Sequence, residues 1–250
     1  MKIKIGFKSE NDKIVYEKFA AIYDLIYSFK DYKKEVKRIK KLISKHKKSD
    51  GNQLLDVACG TGKHILYLKE DFECTGVDIS DGMLNIAKKT IKGAQFNKSD
   101  MIELNLQKKF DIILCLFSSI GYVKTYENLQ KTIQNFYDHL KLGGVLIIEP
   151  WFTRSVYMEG TPHITTYEGE NLKIARANIA KIENDLSVMN MHYLIAKKDA
   201  DDVVYYTEKH ELGFFEIDKT LEIMKEVGIE PEFLENGLMK DRGLYIGIKS

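Results

Sequence analysis

Apolar positions along this chain recur with two different periods, one of helices and one of strands. From residue 53 onward the two alternate. Gln53–Ala58 reads as a short strand ending in a glycine turn, Thr61–Glu70 as a helix, Glu73–Asp78 as a strand ending in an acid, and Asp81–Ile91 as a helix. Ala94–Ser99 makes a weak strand. Phe110–Phe117 makes a strong one, with the nearly unbroken apolar run of a strand covered on both faces. Tyr126–Leu140 has helical spacing and runs into Gly143-Gly144, which is expected to stop it. Val145–Glu149 is another buried strand, closed by Pro150. Such an alternation predicts an α/β fold with a doubly wound, mostly parallel sheet.

Two segments depart from that rhythm. In residues 14–29, Tyr16, Phe19, Ile22, Tyr23, Ile26 and Tyr27 fall at helical spacing. Residues 30–48 carry ten Lys and Arg against Asp31 and Glu35, with Val36, Ile39, Leu42 and Ile43 as an apolar stripe among them. Two readings stay open there: a helix docked by its stripe with a solvated basic face, or an attraction for an anionic ligand or surface. After Trp151, Leu172–Ile182, Leu186–Ala196 and Val203–Phe214 read as three longer strands of an antiparallel meander, turning at Glu183-Asn184-Asp185 and Lys197–Asp202. Ile217–Val227 returns to a helix closed by Gly228, and Glu232–Leu234 and Leu244–Lys249 are final strands. The expected organisation is an N-terminal helical cap (1–50), an α/β body (51–150 and 215–250) and an antiparallel insertion (151–214) that caps a pocket, forms a dimer interface, or both.

Composition narrows the function classes. The 250-residue chain balances 38 Lys and Arg with 37 Asp and Glu, so it lacks the basic excess of a general nucleic-acid binder. Cys59, Cys74 and Cys115 make no even disulfide framework and no C-x-x-C pair; reduced, mostly buried thiols are expected. No apolar run approaches the roughly 18 residues of a membrane helix, and the charged N-terminus lacks the core of a signal peptide. A cytoplasmic protein with no membrane partner is expected. No His, Cys or Asp cluster has metal-ligand spacing, so no metal is expected.

The strongest local signal is Leu54-Leu55-Asp56-Val57-Ala58-Cys59-Gly60-Thr61-Gly62-Lys63-His64, which follows a strand and opens a helix. Gly60 and Gly62 let the main chain turn tightly and let a ligand approach it. Asp78, at the end of the next strand, can accept both hydroxyl protons of a ribose. Together they point to an adenosine at the carboxyl ends of the first strands. A nicotinamide fingerprint fails, because Ile65 stands at its third glycine, and no P-loop is present.

The loop resembles the E/D-x-G-x-G-x-G loop of class I S-adenosylmethionine methyltransferases, with Ala58 where the first Gly usually stands. That resemblance implies a Rossmann-like, seven-stranded sheet. It also implies S-adenosylmethionine as methyl donor, with S-adenosylhomocysteine as product. Asp56, Ala58, Gly60 and Gly62 then form the donor loop, Asp78 takes the ribose, and Ile79 and Met83 join the donor contacts just beyond it. Asp100 and Met101 match the family's adenine pair, Leu116 and Phe117 sit where the methionine portion is supported, and Tyr23 contacts the donor carboxylate or covers the site.

Further pieces resemble the nucleotide-linked aminosugar N,N-dimethyltransferases of the desosamine and mycaminose type. In order, they are Ile22-Tyr23-Asp24-Leu25, Lys30-Asp31-Tyr32, Phe117-Ser118-Ser119-Ile120-Gly121, Glu149-Pro150-Trp151, His192-Tyr193-Leu194 and Arg242-Gly243-Leu244. This resemblance spans residues 15–248 and implies a small-molecule substrate, a TDP-aminosugar, and a homodimer. Its substrate-facing candidates are Tyr16, Tyr32, Ser118, Ser119, Tyr122, Trp151 and Arg242, the last able to pair with a phosphate. Related sugar enzymes carry His directly after Phe-Ser-Ser-Ile-Gly; here Tyr122 stands there, as the catalytic candidate that orients the amine or relays its proton. His192 and His210 read as sheet-packing or surface residues. Two other functions stay open: methylation of a different small-molecule nitrogen or oxygen, and a non-catalytic S-adenosylmethionine-binding regulator.

Overall fold

In the computed structural model, which describes residue 20, residues 22–239 and residues 241–250, the alternation becomes one seven-stranded sheet. Its chain order is α1 (Tyr32–His46), β1 (Gln53–Val57), α2 (Ile65–Leu68), β2 (Glu73–Asp78), α3 (Asp81–Thr90), β3 (Gln95–Lys98), β4 (Phe110–Cys115), α4 (Tyr126–His139) and β5 (Leu140–Ile148). After an intervening second sheet come α5 (Ile217–Glu226), β10 (Ile229–Leu234) and β11 (Leu244–Lys249). The strand order is β10-β11-β5-β4-β1-β2-β3. β1 to β5 are parallel, whereas β11 runs antiparallel to both its neighbours. The winding reverses between β1 and β4, and a ligand crevice opens at the strand ends of such a switch point.

The apolar runs of β1 and β4 are unbroken because each face of the sheet has its own core. Leu55, Val57, Ile113 and Cys115 pack with Ile133 and Phe136 of α4. Leu54, Ile112 and Leu114 pack with Val36, Ile39 and Ile43 of α1 and with Leu84 and Ala87 of α3. The basic helix is therefore docked by its stripe. Asp31 caps it, accepting from the Lys34 N–H at 2.9 Å, and the Arg38 guanidinium donates to the Gly237 carbonyl at 2.7 Å.

The second sheet contains β6 (Pro162–Glu168), β7 (Leu172–Glu183), β8 (Leu186–Lys197) and β9 (Val204–Gly213), antiparallel in that order. β6 is absent from the pattern-based expectation of three strands. It is an edge strand of mostly exposed residues opening on Pro162, so it carries no apolar alternation to read. Three other expectations are corrected. The helix at Thr61–Glu70 is reduced to Ile65–Leu68, because the glycine turn consumes the residues before it. The strand at Phe110–Phe117 ends at Cys115, where the backbone turns sharply. Gly143-Gly144 does not stop α4, which ends at His139. The pair lies inside β5, where the Gly143 carbonyl accepts from the Lys48 and Ser49 N–H groups at 2.8 and 3.0 Å.

Candidate active site

The carboxyl ends of β1, β2 and β4 open into a cavity of about 680 Å³, and the inner face of the second sheet forms its far wall. The first half is built by the glycine turn. Ala58, Gly60 and Gly62 all hold positive φ, at 56°, 56° and 78°. Gly62 has a second reason to be glycine: a Cβ there would lie 2.6 Å from Ile91 Cδ1. Nothing lies within 4 Å of a Cβ built on Gly60, so the bare main chain faces open space. The Gly60 N–H donates to Asp78 Oδ2 and the Ser80 N–H to Asp78 Oδ1, both at 2.8 Å. Asp78 is thus fixed by the main chain while lone pairs remain on both oxygens. Burial raises its pKa, and these backbone donors oppose the rise. Ile79 and Met83 line the cavity beside it. Asp100 Oδ1 accepts from the Ile102 N–H at 2.9 Å, which holds the single turn Met101–Glu103 against the same wall.

Beyond β4 the chain passes through two consecutive left-handed residues, Phe117 (φ 53°) and Ser118 (φ 62°). Non-glycine residues persist there only when their surroundings over-determine them. Glu149, 1% exposed, accepts from the Phe117 N–H at 2.7 Å and from the Met239 N–H at 3.1 Å. Ser118 Oγ donates to the Pro150 carbonyl at 2.6 Å and accepts from Arg242 Nη1 at 2.9 Å. The Arg242 guanidinium stacks on Trp151 and Phe152, 4.8 and 5.0 Å from their ring centres. Arg242 Nε and Trp151 Nε1 are buried without a hydrogen-bond partner. Burial lowers the Arg242 pKa, although the Glu149 charge opposes this.

The segment before α1 is strapped across the entrance. Tyr23 lines the cavity and leans on Tyr27, which meets Phe117 edge-on at 5.0 Å. Asp24 accepts from Thr61 Oγ1 at 2.6 Å and pairs with Lys63 at 3.0 Å, so the strap is tied to the glycine turn. Behind the strap, Glu35 of α1 meets His64 Nε2 at 2.8 Å. The other side of the strap reaches the second sheet, where Arg176 Nη1 donates to the Tyr27 hydroxyl at 2.8 Å.

The structure gathers most of the residues singled out in the sequence. Tyr23, Ala58, Gly60, Asp78, Ile79, Met83, Asp100, Met101, Phe117, Ser118, Ser119, Tyr122, Trp151 and Arg242 all line the one cavity. Four others do not. Asp56 lies under the turn, 2% exposed, with Oδ2 unpartnered; burial pushes its carboxyl up to about 7, with His64 opposing and Asp78 adding. Gly62 packs on Ile91, Leu116 belongs to a core cluster, and Tyr32 meets His64 edge-on at 5.0 Å. Tyr16 lies outside the described residues.

His210 is a correction. Instead of filling a sheet or the surface, it lines the cavity, its Nδ1 2.7 Å from the Tyr122 hydroxyl and its Nε2 3.1 Å from Glu208 Oε2. His192 lies on the opposite, exposed face against the Tyr205 hydroxyl. Arg176, Met189, Met191, Glu208 and Met239 also line the cavity and escaped the sequence reading; Tyr193 lines it too and entered that reading only within the His192-Tyr193-Leu194 piece. A period-2 signal was present for some of them: Met189-Met191-Tyr193 and Glu208-His210-Leu212 each fall on one side of their strand. Among the described residues, no group of three His, Cys, Asp or Glu side chains is arranged to hold a metal ion.

Chemically, the cavity joins an acidic and apolar half, suited to an adenosine, to a half of aromatic, basic and imidazole groups. It can hold two small molecules in contact and handle a proton between them.

A family model described as a methyltransferase domain matches residues 54–144. The dTDP-3-amino-3,4,6-trideoxy-alpha-D-glucopyranose N,N-dimethyltransferase of Streptomyces venezuelae is 31% identical over 232 residues, covering 92% of this chain and 97% of that one. The dTDP-3-amino-3,6-dideoxy-alpha-D-glucopyranose N,N-dimethyltransferase of Streptomyces fradiae is 29% identical, covering 92% and 90%. Among solved structures, DesVI of Streptomyces venezuelae superposes with a TM-score of 0.84 at 27% identity, over 98% of this chain and all of that one.

Proposed function

The chain belongs to the S-adenosylmethionine-dependent methyltransferase family of the TDP-aminosugar N,N-dimethyltransferases, and from that premise we propose that it methylates the amine of a nucleotide-linked aminosugar. The observation that carries this reading is the single cavity whose two halves meet between Phe117 and Tyr122. S-adenosylmethionine supplies a methyl group on a positive sulfur, already activated for displacement. The protein has to bring the acceptor nitrogen to roughly 3–3.5 Å from that carbon, in line with the departing sulfur.

In this reading Asp78 takes the ribose hydroxyls on its unused lone pairs, Asp100 receives the adenine amine, and Ile79, Met83 and Met101 cover the ring. Phe117 and Tyr23 bracket the methionine portion. Ser118, Ser119, Tyr122 and Trp151 face the sugar, and Arg242 approaches an anionic group of the nucleotide. Asp56 supports the turn from beneath, as Glu149 supports Phe117. The N-terminal segment acts as the cap, and the antiparallel sheet acts as the acceptor wall.

The outer face of that sheet exposes Ile164 (72%), Ile179 (53%) and Leu194 (52%), with Ile179 diagonal to Ile164 and Leu194 on the next strand beyond Ala177, which supports a homodimer formed through it. A cytoplasmic setting goes with a nucleotide-sugar substrate and with the free thiols Cys59, Cys74 and Cys115. Among the described residues, no helix is long and apolar enough to cross a membrane.

Thermal shift with S-adenosylhomocysteine, alone and then with thymidine diphosphate, tests the reading, since a ligand that binds the folded state raises the midpoint. Stabilisation by both, followed by a mass gain of one or two methyl groups on a dTDP-3-aminosugar, is expected. A response to S-adenosylhomocysteine alone moves the acceptor to another small molecule. No methylated product from any amine or hydroxyl acceptor leaves a binding protein.

A further inference from the structure

Building on the aminosugar reading, we propose that Tyr122, His210 and Glu208 form a proton relay that deprotonates the acceptor amine. An amine is a nucleophile only without its extra proton, so a route for that proton is part of the reaction. The three side chains contact one another in series, and all face the cavity. The Tyr122 hydroxyl is 2.7 Å from His210 Nδ1, and His210 Nε2 is 3.1 Å from Glu208 Oε2.

The carboxylate sets the direction. It can only accept, so the imidazole carries its hydrogen on Nε2 and offers the Nδ1 lone pair to the Tyr122 O–H. The phenol oxygen is left with lone pairs toward the cavity. Burial and the Glu208 charge push the Tyr122 phenol well above its usual range, so it does not stand as a phenolate. It takes one proton while giving up another.

The fold presses the pair together. A Cβ on Gly121 would lie 2.8 Å from Leu212 Cδ2, and one on Gly213 would lie 2.6 Å from the Lys124 carbonyl oxygen. These glycines let the turn bearing Tyr122 touch the strand bearing His210, and Lys124 and Glu211 close the same contact at 2.7 Å. The other titratable groups around the pair are Tyr193 on β8, Tyr23 and Tyr27 on the strap and Asp78 at the end of β2. Lys209 is held by Glu211.

The step balances. The acceptor ammonium passes one N–H proton to the Tyr122 oxygen as the Tyr122 O–H proton moves to His210 Nδ1. The phenol stays neutral, His210 becomes an imidazolium against Glu208, and the nitrogen keeps its lone pair. That pair forms the new N–C bond; the C–S bond breaks, and its electrons remain on sulfur as a neutral thioether. His210 then releases its proton to water, and the methylated ammonium loses its next proton by the same path.

Nitrogen NMR of the His210 imidazole tests the relay without any acceptor, on the free protein and on its complex with S-adenosylhomocysteine. The Nε2–H tautomer is expected, with a Nδ1 resonance that moves in Tyr122→Phe. A Nδ1–H tautomer overturns the relay whatever the acceptor proves to be. With a dTDP-3-aminosugar, His210→Gln is expected to lower kcat at pH 7 about a hundredfold. The acceptor KM stays near wild type, and the loss shrinks as rising pH frees the amine by itself. A wild-type pH profile in both His210→Gln and Tyr122→Phe also overturns it. Wild-type protein that shows the expected tautomer but methylates no aminosugar supports the relay and overturns the acceptor.

Discussion

Asp78 holds two main-chain N–H groups before any ligand arrives, which makes it both a strut of the glycine turn and the acid at its mouth. Asp78→Ala is therefore expected to weaken S-adenosylhomocysteine binding by about 1–3 kcal/mol, read by calorimetry, through lost charge-assisted hydrogen bonds. Asp56 gives a different signature. Its carboxyl is raised to about 7 from an ordinary 3.8, so the folded state binds its proton more tightly than the unfolded state does. The stabilisation that goes with this proton is complete below about pH 4 and is lost as pH rises through 7. In the protein without ligand, Asp56→Asn should thus gain thermal stability relative to wild type between pH 5 and 8; a constant difference would place no titration at Asp56. Both acids were legible in the sequence, Asp56 because it precedes the glycine turn and Asp78 because it ends an apolar strand. His210 was not. It meets a hydroxyl 88 residues away, and no local period reports such a meeting.

At the scale of elements, the decisive contact is the one between β9 and the turn Ser119–Val123. Gly121→Ala inserts a methyl group 2.8 Å from Leu212 Cδ2, an overpacking expected to cost about 1–3 kcal/mol. Because the turn and strand must separate, kcat should fall while S-adenosylhomocysteine affinity stays at the wild-type value. An unchanged melting temperature and kcat would show that the contact is slack. Inner strands such as β1 and β4 were readable from their apolar runs, since burial on both faces leaves little choice of residue, whereas β3 at the sheet edge gave only a weak signal. β6 was not readable, because an exposed edge strand is free of that demand. The short α2 was overestimated for the opposite reason: apolar spacing continued through residues that the glycine turn needed.

For the whole molecule, the two halves of the cavity come from different sheets; the sequence announced the second as an antiparallel insertion capping a pocket or forming an interface, but not which of its side chains line the cavity. The Gly-loop half follows local chain order. The other half depends on where the four-stranded sheet lies against the first, which is set by packing between distant segments. Its outward face of Ile164, Ile179 and Leu194 leads to an expected dimer mass in light scattering, and Leu194→Lys should shift it toward monomer. The strap over the entrance grips the glycine turn through Asp24 and the second sheet through Tyr27. Transfer needs both ligands bound at once, so a tie to both sides bears on the order in which they enter and leave. The expected order is donor first and spent donor last: S-adenosylhomocysteine should then compete with S-adenosylmethionine but not with the sugar in product-inhibition kinetics.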